Sequence, residues 1–238
     1  MLHLFCYYKR YFFAGLLSAS LSCSPAQAQA IDDTVTIMER VRDTMASISD
    51  YSCMFSKHEL VGDRIFLEDN IILKVKRPDH FYLKWTKGTN KNRVAIYVEG
   101  RNNNKILLHL NGLLGLLPLH IDPAGKEAFK ENRHSITEAD FVAIADRFLT
   151  NCRRGLTDPE CVLRVRTLKD PDTLELEGVF PREKGYYAHI VSMTVDSRTW
   201  LPTGLVCYGW DNEFLEEYHF DDIKINPGLT ESAFERDW

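Results

Sequence analysis

Histidines and cysteines are the residues of this 238-residue chain whose types could carry chemistry, eight of the first and six of the second. His58 adjoins Glu59, and His120 stands two residues before Asp122. An imidazole held by a carboxylate can act as a general base, the working part of a hydrolase. Taken singly, such neighbours more often belong to a turn or a solvated surface. The chain has no G-x-S-x-G elbow, H-E-x-x-H pair, P-loop or Rossmann glycine pattern. A His/Asp hydrolase site would need His109, His120 or His134 to converge with an acid in one cleft. A protein that is not an enzyme, with no cofactor, is therefore the expectation, and the hydrolase is its furthest alternative.

The cysteines depend on where the chain goes. Residues 1–30 read as a cleaved secretory signal: Lys9 and Arg10 make a positive start, residues 11–21 are apolar, and Ala26-Gln27-Ala28 and Ala28-Gln29-Ala30 are small-residue cleavage sites. Lipid modification at Cys23 is the rival, but Ser20-Leu21-Ser22 fits the bacterial lipobox poorly. The protein is expected to be exported, periplasmic or secreted, and soluble after cleavage, with residues 31–238 as one domain. Loss of Lys9 and Arg10 takes the net charge from −5 to −7, which argues against a nucleic-acid partner. Cys53, Cys152, Cys161 and Cys207 remain for an oxidising compartment. Cys152 and Cys161 flank one loop and form the first candidate disulfide; Cys53 with Cys207 follows by elimination. The alternative for Cys53, beside Tyr51 and Phe55 on one strand face, is a small buried hydrophobe. No cysteine pair or cysteine–histidine spacing suits a metal.

The elements that position these residues follow from periodicity. Residues 31–49 predict a helix, with Val35, Met38, Val41, Met45 and Ile48 at helical spacing. Residues 51–59 predict a strand with Tyr51, Cys53 and Phe55 on one face. Between 65 and 110 four strands follow. In the first, Ile65, Leu67, Ile71, Leu73 and Val75 form a dry face, with Glu68, Asn70, Lys74 and Lys76 on the wet one. The next offer Phe81, Leu83 and Trp85, then Val94, Ile96 and Val98, then Ile106, Leu108 and Leu110. Ser135-Ile136-Thr137-Glu138 matches a capping box opening a helix with Phe141, Ile144, Ala145, Phe148 and Leu149 on one stripe. Five more strands fall between 161 and 222. Nine or ten antiparallel strands with two helices predict an α+β fold: a strongly curved antiparallel sheet forming an unclosed β-barrel, with helices packed in its concavity.

One stretch fits neither period. Between Gly112 and Pro123, Leu113, Leu114, Leu116, Leu117 and Pro118 crowd apolar side chains among glycines and prolines. They read either as core plugging the sheet or as a flap over an apolar cavity that could touch lipid or a partner.

Several of these segments together resemble a known family. Val75-Lys76-Arg77-Pro78-Asp79-His80-Phe81 followed by Trp85, then Tyr97-Val98-Glu99-Gly100, resemble the strand-turn-strand motifs of the periplasmic lipoprotein carrier LolA and its relatives. Asp196-Ser197-Arg198-Thr199-Trp200-Leu201-Pro202, the run from Tyr218 to Leu229, and Phe234 resemble the closing strands and tail, in the same order. An uncharacterised exported bacterial family, known only as a domain of unknown function, is similar in the Gly-Leu-Leu-Gly-Leu-Leu-Pro segment as well. The resemblance implies a lid of helices over a hydrophobic cavity for acyl chains, with Arg77 holding the lid closed by hydrogen bonds. The cavity wall would draw on Phe55, Leu73, Val75, Phe81, Leu83, Trp85, Ile96 and Val98. The implied function is a non-catalytic carrier of lipid or of a lipoprotein's acyl chains. The alternative is a lipid-sensing module that reports to an envelope membrane protein. The leucine-rich segment, the extra cysteines and the acidic surface depart from the carrier's pattern, so its own partners and cargo do not transfer.

Overall fold

The computed structural model describes residues 25–112, 117–182 and 184–236. Leu113, Leu114, Leu116, Cys23 and most of the expected signal lie outside them; residues 25–30 form the start of the first helix. The order is α1 (Pro25–Ala46), β1 (Asp50–Val61), β2 (Arg64–Lys76), β3 (His80–Trp85), β4 (Val94–Val98), β5 (Ile106–His109) and β6 (Leu119–Ile121). Then come α2 (Phe141–Gly155), β7 (Val162–Thr167), β8 (Thr173–Val179), β9 (Ile190–Asp196), β10 (Pro202–Tyr208) and β11 (Phe214–Ile225). The strands form one antiparallel sheet in the order β6-β5-β4-β3-β2-β1-β11-β10-β9-β8-β7, an unclosed barrel whose free edges are β6 and β7. The eleventh strand, absent from the periodicity count, is β6, three residues inside the stretch that fits no period.

This topology explains the lid. The chain begins at the centre of the sheet, works outward to β6, and must cross to the opposite edge before returning through β7 to β11. The crossover runs over the concave face and carries α2 with it. There α2 buries Phe141, Ile144, Ala145, Phe148 and Leu149, and α1 buries Met38, Val41 and Met45. The helix expected from Ser135 starts later. Residues Ile136–Glu138 form a 3-10 turn, and Asp140 is the N-cap of α2. Glu138 does not close a capping box, because its carboxylate accepts a hydrogen bond from Arg147 at 2.7 Å instead.

Arg77 joins the sheet to both helices. Its Nε and Nη2 donate to the two carboxylate oxygens of Asp140 at 3.1 and 2.9 Å, at the start of α2. Its Nη1 donates to the carbonyls of Met45 and Ile48 at the end of α1. A planar fork of five donors suits this double task and an ammonium would not. Tyr51 stacks on Phe141 at 4.3 Å, and its hydroxyl accepts from the Phe141 amide at 3.2 Å.

The convex face is also dry in one place. Tyr82, Val94, Ile96, Val98 and Leu107 form a second cluster covered by Phe234. The tail is held there by Glu231, which accepts from Lys76 and Arg101 at 2.7 Å each. This corrects the assignment of Ile96 and Val98 to a concave wall. The alternation in β4 is as read, but its large residues face outward onto the tail, and Ala95 and Tyr97 face the main core.

A bulge corrects β2 as well. Phe55 pairs with Ile71, but Lys57 pairs with Glu68, so two residues of β2, Asp69 and Asn70, oppose Ser56 alone. Asn70 takes a left-handed backbone with φ of 57°. The extra residue reverses the parity of the strand before it. Ile71, Leu73 and Val75 stay inside, whereas Ile65 and Leu67 are 53% and 67% exposed and Glu68 turns inward at 6%.

Two predictions test these devices. Asn70→Gly should keep the bulge with little loss of stability, whereas Asn70→Val should cost about 1–2 kcal/mol from the strained backbone, measured by urea unfolding; equal stabilities would refute the account. Arg77→Met should cost about 2–4 kcal/mol by leaving Asp140 and two carbonyls unmet. Hydrogen exchange should speed up at the start of α2, and unchanged protection there would show that Arg77 does not hold the lid.

Candidate functional site

Between the concave face and its cover lies a cavity of about 280 Å³. Phe55, Leu83, Trp85, Ala95, Ile106 and Leu108 line it from the sheet. Ile121 lines it from the edge strand β6, and Ala128, Ile136, Ala139 and Ile144 line it from the crossover. Packed interiors leave few voids larger than a water molecule. This one opens where both surfaces present alanine, at Ala95 in the sheet and at Ala128 and Ala139 above it. It lies toward the Trp85 end of β3, away from Arg77.

One wall is apolar and the other is charged. The inward face of β1 continues past Phe55 to Lys57 and Glu59, the bulge delivers Glu68, and β11 delivers Glu216 and Tyr218. Lys57 Nζ lies 3.2 Å from Glu59 and 3.1 Å from Glu68. Burial lowers its pKa, but the two carboxylates more than offset this and raise it, so the amine stays charged. Arg93 bridges Glu68 at 3.2 Å and Glu131 at 3.0 Å. Glu216, fully buried, faces His134 Nε2 at 2.8 Å and accepts from the Tyr187 hydroxyl at 2.8 Å. Burial pushes its carboxyl up, yet His134, Tyr187 and Arg147 outweigh it and the net shift is downward. Burial and the neighbouring carboxylates push the Tyr187 and Tyr218 hydroxyls up, so both remain donors.

The residues singled out from sequence fall in three places. Phe55, Leu83 and Trp85 line the cavity; Leu73, Val75 and Phe81 share its face but pack in the core beyond it; Ile96 and Val98 lie on the other side of the sheet. Arg77 is at the far end, Leu117 is 78% exposed, and Pro118 is partly exposed beside it. Lys57, Glu59, Glu68, Arg93 and Glu216 were not anticipated. Extending the Tyr51-Cys53-Phe55 alternation two steps would have found Lys57 and Glu59, and the same step back from Phe220 and Tyr218 finds Glu216. Glu68 needs the bulge.

The expected disulfides are not formed; all four cysteines are buried free thiols. Cys207 pairs with Glu216, which pairs with Glu59, so it lies in line with position 59 rather than 53. Six residues along a strand is about 20 Å, far beyond the reach of a disulfide. Burial pushes the Cys53 thiol up to about 12, which leaves it inert. Cys152 and Cys161 are both buried, and the Cys161 thiol donates to the Tyr186 hydroxyl at 3.2 Å. Among the described residues no group of His, Cys, Asp and Glu is placed to hold a metal ion, and no helix is long and apolar enough to cross a membrane.

Of the three histidines, His134 meets acids at the cavity, while His120 is exposed on β6. The His134 Nδ1 faces Glu138 at 3.2 Å, and its Nε2 faces Glu216 at 2.8 Å, Tyr187 at 2.9 Å and Arg147 at 3.2 Å. Both nitrogens are thus engaged, and neither partner set includes a serine or cysteine nucleophile. His58 and Glu59 point to opposite faces of β1; His58 faces Asp69 at 3.0 Å and Glu217 at 3.4 Å.

The lowered carboxyl of Glu216 sets a pH dependence. Its contribution to stability is fully present above the ordinary glutamate value of 4.5 and is lost as pH falls through its lower folded value. Glu216→Gln should cost about 2–3 kcal/mol at neutral pH, and the deficit should shrink in acid. Urea midpoints against pH read this out, and a deficit that stays constant into acid would contradict it.

The residues from 48 to 237 match the family described as Protein of unknown function (DUF1571). No curated protein matches the chain. Among solved structures it is similar to lipoprotein LppX of Mycobacterium tuberculosis, at 11% identity over 84% of this chain and 98% of that one, with a TM-score of 0.48. It is similar to a LolA superfamily protein of Nitrosomonas europaea at 10% identity, covering 85% and 97% of the two chains, with a TM-score of 0.39. A DUF1329 family protein of Desulfovibrio piger gives 12% identity, coverage of 87% and 98%, and a TM-score of 0.44. With its matched segment spanning most of the sequence, the chain belongs to the DUF1571 family.

Proposed function

We propose that the protein is an exported, non-catalytic carrier that shelters the hydrocarbon chain of a lipid or acylated protein. The observation that carries this reading is the cavity between the concave sheet and its cover, with an apolar wall of Leu83, Ile106, Leu108, Ile121, Ile136 and Ile144. A volume of about 280 Å³ lies near the lower end of ordinary ligand sites and suits one chain rather than several. Each buried methylene contributes roughly 0.8 kcal/mol, so a chain of about ten offers a gross gain of roughly 8 kcal/mol, reduced by the cost of ordering. Entry requires the cover to move. The Arg77 contacts to both helices hold it closed and would be the contacts that loosen. The engaged nitrogens of His134 weigh against hydrolysis.

The test is native mass spectrometry of the protein purified from its own host, with extraction and identification of bound lipid, beside titration with the neutral fluorophore N-phenyl-1-naphthylamine. Bound lipid, or saturable fluorophore uptake lost in Leu83→Glu while the fold is kept, is the expected result. A protein that emerges empty and takes up no fluorophore would end the carrier reading.

A further inference from the structure

The charges on the cavity wall name the head group of the ligand, an inference that rests on the carrier reading. The cavity is lined by the cations Lys57, Arg93, Lys130 and Arg147 and by the carboxylates Glu59, Glu68, Glu127, Glu131 and Glu138. Every one of those cations already has its counter-ion. Lys57 is held by Glu59 and Glu68, Arg93 by Glu68 and Glu131, Arg147 by Glu138 at 2.7 Å and Lys130 by Glu127 at 2.6 Å. Lys57 also donates to Asn132. A ligand carboxylate entering this space would either stay unpaired in a low-dielectric site or take a cation from a glutamate that is then left unpaired. Both outcomes are strongly unfavourable at Lys57, Arg93 and Arg147, whose side chains are mostly buried. Lys130 and Glu127, by contrast, are 65% and 64% exposed and meet a head group in water, where pairing contributes little. A ligand ammonium meets the mirror-image obstacle, because the carboxylates are occupied too.

Two wall residues do have hydrogen-bonding capacity to spare. Trp85 Nε1 and Arg93 Nε are buried and have no partner among the described residues. They belong to one assembly, with the Arg93 guanidinium 5.3 Å from the Trp85 ring. Both are donors, and an uncharged acceptor oxygen satisfies a donor without disturbing any ion pair. We propose that the cavity selects single-chain amphiphiles whose head is uncharged and bears hydroxyl or ester oxygens, as in a monoacylglycerol, and rejects the free fatty acid anion. The chain lies against Leu83, Ile106, Leu108, Ile121 and Ile144, and the head meets the Trp85–Arg93 side.

The experiment displaces N-phenyl-1-naphthylamine from the full mature chain with monolauroylglycerol, laurate or dodecylammonium, each below its micellar concentration, at about pH 7.5, where laurate is ionised. Monolauroylglycerol should bind at least about tenfold more tightly than either ion. Glu131→Gln, a change at a half-exposed position, frees one arm of Arg93. It should raise laurate affinity about fivefold or more relative to monolauroylglycerol, with circular dichroism and the urea midpoint reporting an intact fold. Laurate or dodecylammonium binding as tightly as the glyceride overturns the proposal. So does a folded Glu131→Gln protein in which laurate gains nothing over the glyceride. Displacement by none of the three would instead count against the carrier reading itself.

Discussion

Lys57 sits out of water between two glutamates, and much of the fold serves to make that position tolerable. Removing an ion from water costs several kcal/mol even after relaxation, and only close, well-shaped pairing recovers it. Glu59 is supplied by the same strand. Glu68 reaches the ammonium only because β2 carries an extra residue at Asn70 that reverses its parity. Arg93 is then drawn in by Glu68, and Glu59 accepts from the Arg133 amide at 3.0 Å, which ties the crossover to the sheet. Glu216 on β11, with Tyr187 and His134, extends the same network from the sheet to the crossover. A single local irregularity thus supplies the second carboxylate that the buried Lys57 needs.

The opposite end of the concavity is organised by a different cation with a different task. Arg77 is not neutralising a buried charge within the sheet; it closes helix ends, meeting carbonyls at the end of α1 and a carboxylate at the start of α2. Between these two polar anchors the core is aromatic and aliphatic, with Tyr51, Phe141 and Phe220 stacked or edge-on within 5 Å of one another in sequence of contact. The cavity occurs beside the charged anchor rather than beside Arg77. Small residues on both surfaces leave room there, while the Arg77 end is filled by large ones.

That placement gives the cavity two unlike walls. In the proposed reading the apolar wall would hold hydrocarbon, and the wall of completed ion pairs would discriminate by what it does not accept, since specificity can come from the cost imposed on the wrong partner. The convex face lies on the other side of the sheet: Phe234 and the tail cover Tyr82, Ile96 and Val98, so strands β3 to β5 carry buried side chains on both faces.

The sequence by itself determined the class of fold, because period-two alternation and two amphipathic stripes are local properties. It located ten of the eleven strands and both helices. It named Phe55, Leu83 and Trp85, which meet at the cavity. Parity from Tyr51 already placed Lys57 and Glu59 on the dry face, so part of the charged wall was legible one step further along the strand. Only the tertiary structure decided the rest. Ile96 and Val98 look like concave-face residues until the tail is seen to cover the other side. Glu68 looks solvated until the bulge turns it. Cys53 and Cys207 look like a pair until strand register puts them far apart. Alternation reports that a strand has two different faces, but which face is inside depends on bulges, register and distant covering segments, and those are set by packing across the whole sheet.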